Sequence, residues 1–233
     1  MLSVFTPAYD EEQGLERNVR DIMKALEGLD YELFIVDDGS ADGTPEICRK
    51  LESEDMRVRH LRYENGPSRR ENLATSFKQA KGEYVAFIDS DLGEAAHYLP
   101  GMAEDLGEYD ISMGCRTHPE SRIGRSVLRR AYTHLSNGFI RAYFGSRLRD
   151  HQCGLKAFRR DVILRLVDEA GYDESGDRGW SWDTEILLRA QRHGYMIREF
   201  PVSWVERRGT TVKLNRDWSL LKYVFKLKRI ISK

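Results

Sequence analysis

The chain has 233 residues, with 37 Lys and Arg against 38 Asp and Glu and a formal net charge of −1. That length suits one large domain or a domain with an appendage, and the balanced charge gives no ground for a nucleic-acid partner. Cys48, Cys115 and Cys153 fit no zinc or redox spacing and read as reduced thiols, no apolar run approaches the ~18 residues that span a bilayer, and the short stretch before Pro7 is no signal peptide.

Residues 2–5 read as a first buried strand, stopped by Pro7. The loop Pro7-Ala8-Tyr9-Asp10-Glu11-Glu12 follows, with Asp10 as the expected helix cap. Leu15, Val19, Ile22, Met23 and Leu26 then recur at helical spacing as far as Gly28. Residues 32–36 form a second strand that ends in Asp37-Asp38-Gly39-Ser40, and Thr44-Pro45 starts the next helix. Residues 58–63 give a third strand, Gly66-Pro67 opens a helix reaching Lys81-Gly82, and residues 84–91 give a fourth. This alternation predicts a parallel, doubly wound α/β sheet.

The fourth strand carries the strongest chemical signal. Tyr84-Val85-Ala86-Phe87-Ile88 is apolar enough to be buried on both faces, and Asp89-Ser90-Asp91 closes it. If the chain stays extended, Asp89 and Asp91 point to one side, in the crevice where open α/β sheets bind ligands. Two carboxylates there repel unless a divalent cation joins them, and hard oxygen ligands suit Mg²⁺ or Mn²⁺. A solvated turn whose acids cap the next helix is the competing reading, and the spacing alone leaves both open.

Seven motifs now stand in order: Pro7-x-Tyr9-Asp10-Glu11; Val36-Asp37-Asp38-Gly39-Ser40-x-Asp42-Gly43-Thr44; Asp89-x-Asp91; Gly114-Cys115-Arg116; Asp150-x-Gln152-Cys153-Gly154-Leu155-Lys156; Trp182-Asp183-Thr184-Glu185; and Pro201-Val202-x-Trp204. Together they resemble a family 2 glycosyltransferase of GT-A fold, in the dolichol-phosphate mannose synthase and polyprenyl-phosphate glycosyltransferase branch. The resemblance runs to about residue 214. It implies that Pro7, Tyr9 and Glu11 lie against the base and ribose of a nucleotide sugar, with Val36 and Asp38 at the base. Asp89, Ser90 and Asp91 would hold the donor diphosphate, the two acids through Mg²⁺ or Mn²⁺. Arg116 and Arg130 would grip phosphate, and Asp150, Gln152 and Trp182 would line the acceptor side, Trp182 stacking on the sugar or Asp183 capping its helix. A cation among Arg207, Arg208 and Lys213 would cover the diphosphate. The branch usually offers a glutamine two residues after the second aspartate; here Gly93 stands there, which leaves water, Glu94 or a later residue as third ligand.

Arg116, Arg122, Arg125, Arg129 and Arg130 surround Ile123, Val127, Ala131, Leu135, Phe139 and Tyr143. Apart from the resemblance, that pattern predicts a core-packed helix with a solvated arginine face. His151 alone reads as a packed or surface histidine, and a phosphate acceptor, already an anion, needs no strong base. At the end of the chain Leu220, Val224, Leu227 and Ile231 share one helical face, widened by Trp218, Leu221 and Phe225, with Lys222, Lys226 and Arg229 opposite. Such a helix either docks on the core or lies on an anionic membrane.

The expected architecture is a GT-A, Rossmann-like α/β domain over 1–214, divided into a nucleotide-binding half (1–92) and an acceptor half (93–214). A basic amphipathic helix over 215–233 completes it. The expected activity is inverting, metal-dependent transfer of a hexose, from GDP-mannose or UDP-glucose, to a polyprenyl (dolichyl) phosphate, at the cytoplasmic face of a membrane. A soluble or polysaccharide acceptor, a nucleotide-sugar-binding protein and a nucleotidyltransferase are the alternatives.

Overall fold

β1 (Leu2–Ala8) is the axis of a seven-stranded sheet, with β2 (Tyr31–Asp37) on one side and β4 (Tyr84–Ile88) on the other. β3 (Val58–Arg62) lies beyond β2, and these strands are parallel. Beyond β4 come β7 (Leu155–Arg159), β5 (Ile111–Cys115) and β8 (Ile197–Pro201). β7 runs antiparallel to both its neighbours, while β5 and β8 are parallel. The computed structural model describes residues 1–66, 70–175, 178–179, 181–205 and 214–231, with side chains from 223 onward in the last stretch.

Alternation along the strands builds two apolar layers. Val4, Leu33, Ala86 and Ala157 face α1 (Leu15–Ala25), α2 (Thr44–Glu54) and α4 (Leu99–Asp105). Phe5, Phe34, Phe87 and Phe158 face α3 (Arg70–Ser76), α6 (Arg160–Ala170) and α7 (Ser181–Arg192). Phe5 and Phe34 stack with centroids 4.5 Å apart, and each ring buried this way contributes ~1.5–3 kcal/mol. The sheet order reverses between β1 and β4, and the crevice beyond their carboxyl ends is where such sheets bind ligands.

Several local expectations change. β1 continues through Pro7 to Ala8, because β4 pairs with it only as far as Phe5. Past that point β1 has one neighbour, and a residue without N–H is tolerated as at an edge. Gly14, not Asp10, precedes α1. Asp10 instead takes a left-handed backbone (φ 50°) and its Oδ1 accepts a hydrogen bond from Ala41 N at 2.9 Å. α3 begins at Arg70 among the described residues, and Pro67 lies outside them. β4 ends at Ile88 rather than running on to Asp91, and Leu92 N donates to Asp89 O at 2.9 Å, closing a turn.

The largest correction concerns α5 (Val127–Phe144). Its apolar stripe was expected to face the core, yet Val127, Leu128 and Leu135 are 73%, 83% and 74% exposed. The buried positions are Thr133, Asn137 and Ile140. The floor beneath the helix explains this inversion, because it is charged. Asn137 Nδ2 donates to Asp150 Oδ1 at 3.3 Å, and Thr133 Oγ1 accepts from Arg125 Nη1 at 2.9 Å. A helix resting on a carboxylate and a guanidinium turns polar side chains inward.

α8 (Leu214–Ile231) takes the docked of its two expected arrangements. Tyr223, Leu227 and Ile231 pack with Leu188 and Phe144, and Val224 is buried too. The expected adhesive line over Val224, Leu227 and Ile231 therefore faces protein. Leu220, Lys222, Trp218 and Leu221 lie outside the described side chains. A two-stranded ribbon, β6 (Arg122–Gly124) with β9 (Ser203–Val205), flanks the crevice.

Candidate functional site

At the end of β2, Asp37 and Asp38 diverge. Asp37 is fully buried and accepts from Arg62 Nη1 at 2.6 Å and from Ser40 N at 2.9 Å. Burial opposes its ionisation, but the nearby His60 ring and the hydrogen bonds from Ser40 and Arg62 outweigh it and hold the carboxyl well below the usual range. It is a structural anchor. Asp38 is buried too, at 4% exposure, and its Oδ1 accepts from Asn72 Nδ2 at 3.0 Å. Asn72 is further tied to Asn65 and to the Tyr172 hydroxyl. Tyr9 stands exposed just past β1, Pro7 is half-buried, and Glu11 N donates to Thr44 Oγ1 at 2.8 Å. Val36 is fully buried within β2, so its side chain is core and meets no ligand.

The turn after β4 separates the two acids that an extended strand would have aligned. Asp89 is tucked in: its Oδ1 meets Arg70 Nη2 at 2.8 Å, and its N–H donates to Gly154 O at 2.9 Å. A Cβ on Gly154 would come 1.9 Å from Asp89 Oδ2, so the backbone of the loop before β7 needs glycine to pass there. Asp91 is exposed and lines a shallow depression with Asn18, Glu94 and Trp204. Ser90 is nearly buried, its carbonyl accepting from Asn18 Nδ2. Gly93 has no room for a glutamine, since a Cβ there would lie 2.9 Å from Asn18 Cα. Among the described residues no three His, Cys, Asp or Glu side chains converge on a metal position. Asp91, exposed and with Glu94 beside it in the same depression, has the chemistry of a Mg²⁺- or Mn²⁺-type site that a substrate completes, since such ions bind through one or two carboxylates plus phosphate oxygens and water.

Next to this turn lies a cavity of about 780 Å³, bounded by Glu94, Arg116, Arg122, Arg125, Arg130 and the ribbon residue Trp204, among others. Glu94 and Trp204 belong to both hollows, so the acidic turn opens onto an arginine-rich chamber. Arg130 is exposed. Arg116 is held by Asp150, with Nε to Oδ2 at 2.7 Å and Nη2 to Oδ1 at 2.8 Å. Asp150 itself is fully buried, so it orients Arg116 and does not reach an acceptor. Burial raises its proton affinity, but the Arg116 guanidinium outweighs this and holds it far below the carboxylate range. Gln152 N donates to Asp150 Oδ1 at 3.2 Å and is half-buried.

Two further expectations give way. Trp182 is buried against Phe77 and Phe87, with ring centroids 6.3 Å away in each case, and is a core ring rather than a sugar platform. Its place follows from α7, whose whole first turn is buried. Asp183 is not a cap; it meets Lys156 Nζ at 2.8 Å and Arg70 Nε at 3.2 Å. Arg207, Arg208 and Lys213 lie outside the described residues. His151 is packed, between Asn137 Oδ1 at 2.8 Å and Ser146 Oγ at 2.8 Å, and burial pushes its imidazole down to about 4. Burial pushes the Cys48 and Cys153 thiols up to about 12, which removes them as nucleophiles. Sequence reasoning missed Arg70, Asn72 and Asn18. The first carried a usable signal, since an aspartate half-buried behind a strand needs a cation and α3 opens with one.

A sequence model described as glycosyl transferase family 2 matches residues 3–167. The chain belongs to that family. It is 38% identical over 222 residues to the glycosyltransferase AglD of Haloferax volcanii, covering 93% of this chain and 35% of that protein. It is 27% identical over 239 residues to the dolichyl-phosphate beta-glucosyltransferase of Saccharomyces cerevisiae and 29% over 243 residues to that of Homo sapiens. These alignments cover 93% and 94% of this chain, and 70% and 71% of those proteins. The chain thus spans about a third of AglD and about 70% of the two dolichyl-phosphate enzymes. The expected polyprenyl-phosphate branch is borne out by these relatives. Among solved structures, glucosyl-3-phosphoglycerate synthase of Mycobacterium tuberculosis with Mn²⁺, UDP and glucosyl-3-phosphoglycerate superposes with a TM-score of 0.69 at 19% identity, covering 98% of this chain and 78% of that one. The same enzyme with Mg²⁺ and UDP gives 0.66 at 20% identity, with the same coverage. The architecture is the GT-A fold.

Proposed function

We propose that this chain transfers a hexose, glucose from UDP-glucose, with inversion to a polyprenyl phosphate such as dolichyl phosphate. The observation that carries the reading is the arginine-lined cavity of about 780 Å³ that shares Glu94 and Trp204 with the depression at Asp91 and takes Arg130 from α5. It offers a donor-diphosphate end beside a phosphate-binding end, and the helix that supplies Arg130 also carries the exposed Val127, Leu128 and Leu135. The choice of glucose over mannose is supported by the relatives named dolichyl-phosphate beta-glucosyltransferases and by the UDP complexes of the solved neighbour.

In this reading Tyr9, Pro7 and Glu11 cradle the base and ribose, and Asp38, oriented by Asn72, accepts an N–H from the base. Asp91 and Asp89, with Glu94 at hand, would hold Mg²⁺ or Mn²⁺, whose charge would offset that of the diphosphate. Arg130 and Arg116 hold the acceptor phosphate, the latter aimed by Asp150, and guanidinium suits a phosphate fork. An oxygen of that phosphate attacks the anomeric carbon as the bond to the nucleoside diphosphate breaks. The nucleophile is already an anion, so no protein base is required, and the buried His151 is not one.

A lipid acceptor sets a location. Val127, Leu128, Leu135 and Phe139 on α5 continue through the Phe139–Tyr143 stack to Phe225 on α8. Arg129 and Arg130 flank this patch. Apolar residues edged by cations suit an anionic membrane surface. No helix among the described residues is long and apolar enough to cross a membrane. The expected interfacial surface therefore moves from the line on α8 to α5.

Thermal stabilisation tests the donor assignment. UDP-glucose with Mn²⁺ is expected to raise the melting temperature, by the equivalent of ~2.7 kcal/mol at 100 times Kd, and GDP-mannose to do so far less. A larger shift with GDP-mannose would reverse the glucose choice, and no shift with any nucleotide sugar would overturn donor binding.

A further inference from the structure

Behind the turn after β4 four charged side chains form an alternating chain: Asp89, Arg70, Asp183 and Lys156. Arg70 Nη2 lies 2.8 Å from Asp89 Oδ1, Arg70 Nε 3.2 Å from Asp183 Oδ2, and Lys156 Nζ 2.8 Å from Asp183 Oδ1. Side-chain exposure falls along the chain from 21% at Asp89 to 9% at Arg70, 2% at Asp183 and 1% at Lys156. Both cations also stand over the Phe87 ring, Arg70 Cζ at 5.3 Å and Lys156 Nζ at 5.2 Å from its centroid. The four residues come from the turn after β4 and from α3, α7 and β7, so the cluster joins elements from both halves of the chain.

Stability alone is a poor reason for such a cluster. Replacing buried ion pairs by well-packed apolar residues is often neutral or stabilising, whereas leaving one charge unmatched is costly. Asp183 and Lys156, the two deepest members, are almost wholly buried, and the link from them to Asp89 in this chain is Arg70. The geometry also limits Asp89: Arg70 takes one oxygen and Gly154 packs against the other. What Asp89 can offer a cation depends on how far Arg70 is neutralised from behind.

We propose that Asp183 and Lys156 are positioning residues that set the divalent-cation affinity of the Asp89–Asp91 turn by balancing the charge of Arg70. This rests on the metal reading given above. Asp183 shares the guanidinium with Asp89, and Lys156 holds Asp183 in place while offsetting its charge. The cluster sums to zero, and each removal unbalances it by one unit of known sign. Deleting the Asp183 charge strengthens the hold of Arg70 on Asp89 and makes the surroundings more positive. Deleting the Lys156 charge makes them more negative.

Mn²⁺ itself is the probe, titrated against the intact chain and followed by the electron paramagnetic resonance of the free ion, so no turnover is needed. Asp183→Asn is expected to weaken Mn²⁺ binding at least about fivefold and Lys156→Met to strengthen it by a similar factor, the sizes expected for a unit charge at the effective dielectric of a partly buried site. The double variant Asp183→Asn/Lys156→Met restores neutrality and is expected to return to within about twofold of the parent, as is Lys156→Arg alone. Because the double variant leaves no unmatched charge, it keeps the test open if a single variant fails to fold. Single variants that shift affinity in the same direction, or a double variant no closer to the parent than either single, would overturn the proposal. Unchanged affinity in all variants would do the same while leaving the metal reading intact. A parent chain that binds no Mn²⁺ would sink both.

Discussion

Gly154 and Asp89 compete for the same volume, which makes the residue scale a sensitive test of the turn. An added methyl would sit 1.9 Å from a carboxylate oxygen whose partner oxygen is tied to Arg70. Gly154→Ala is expected to cost ~1–3 kcal/mol of stability, measured by urea denaturation, and to weaken donor binding along with it. Asp91, which is exposed, separates the two effects. Asp91→Asn is expected to abolish transfer and metal-dependent nucleotide binding while moving stability by no more than ~0.5 kcal/mol; near-normal turnover would remove Asp91 from the site. His151 gives a pH prediction. Its folded pKa of about 4 lies below the ~6.5 of an unfolded chain, so between those values the unfolded state takes the extra proton. Stability therefore falls as pH drops from 6.5 towards 4, by ~3 kcal/mol in full. Asp37 and Asp150 are depressed carboxylates, and their contribution is lost only at lower pH. His151→Gln should flatten the dependence of melting temperature on pH between 6.5 and 4; an unchanged slope there would contradict the assignment.

At the scale of elements, α5 departs from the part its sequence suggested, while α8 takes the docked of its two. Periodicity reveals that a helix has an apolar face but not where it points, and α5 rests on Asp150, Arg116 and Arg125 instead of on an apolar layer. The pair Leu128→Asp/Leu135→Asp is expected to abolish co-sedimentation with anionic vesicles and transfer to a long-chain acceptor, while the melting temperature hardly moves, because both residues are exposed. Undiminished vesicle binding would remove α5 from the membrane. Deleting α8 has a different expected outcome: with Leu227 and Ile231 buried against Leu188 and Phe144, truncation lowers stability and activity on every acceptor alike. The strands were legible for the same reason that α5 was not. β1, β2 and β4 are apolar on both faces and can only be interior, and each ends in a polar turn where its function is expected. β7 was not legible, because nothing in Leu155-Lys156-Ala157-Phe158-Arg159 encodes its direction, and antiparallel insertion between β4 and β5 is a property of the whole sheet.

Over the whole molecule, the site is a consequence of sheet order. The reversal between β1 and β4 brings Tyr9, Asp38 and the Asp89–Asp91 turn to one crevice, and β7 and β5 bring Gly154 and Arg116 up beside it. The motif order along the sequence was enough to recognise the family. Trp182, Val36 and Asp150 were misjudged because a motif reports which residue is present and not whether it is buried. The central claim is transfer of glucose onto a lipid phosphate, and one assay addresses it directly: the chain, labelled UDP-glucose and Mn²⁺ incubated with dolichyl phosphate in anionic vesicles, with 3-phosphoglycerate as a competing soluble acceptor. The predicted result is β-linked glucosyl phosphoryl dolichol formed in step with free UDP and no label on phosphoglycerate. Label on phosphoglycerate with none in the lipid, or release of pyrophosphate in place of UDP, would contradict it.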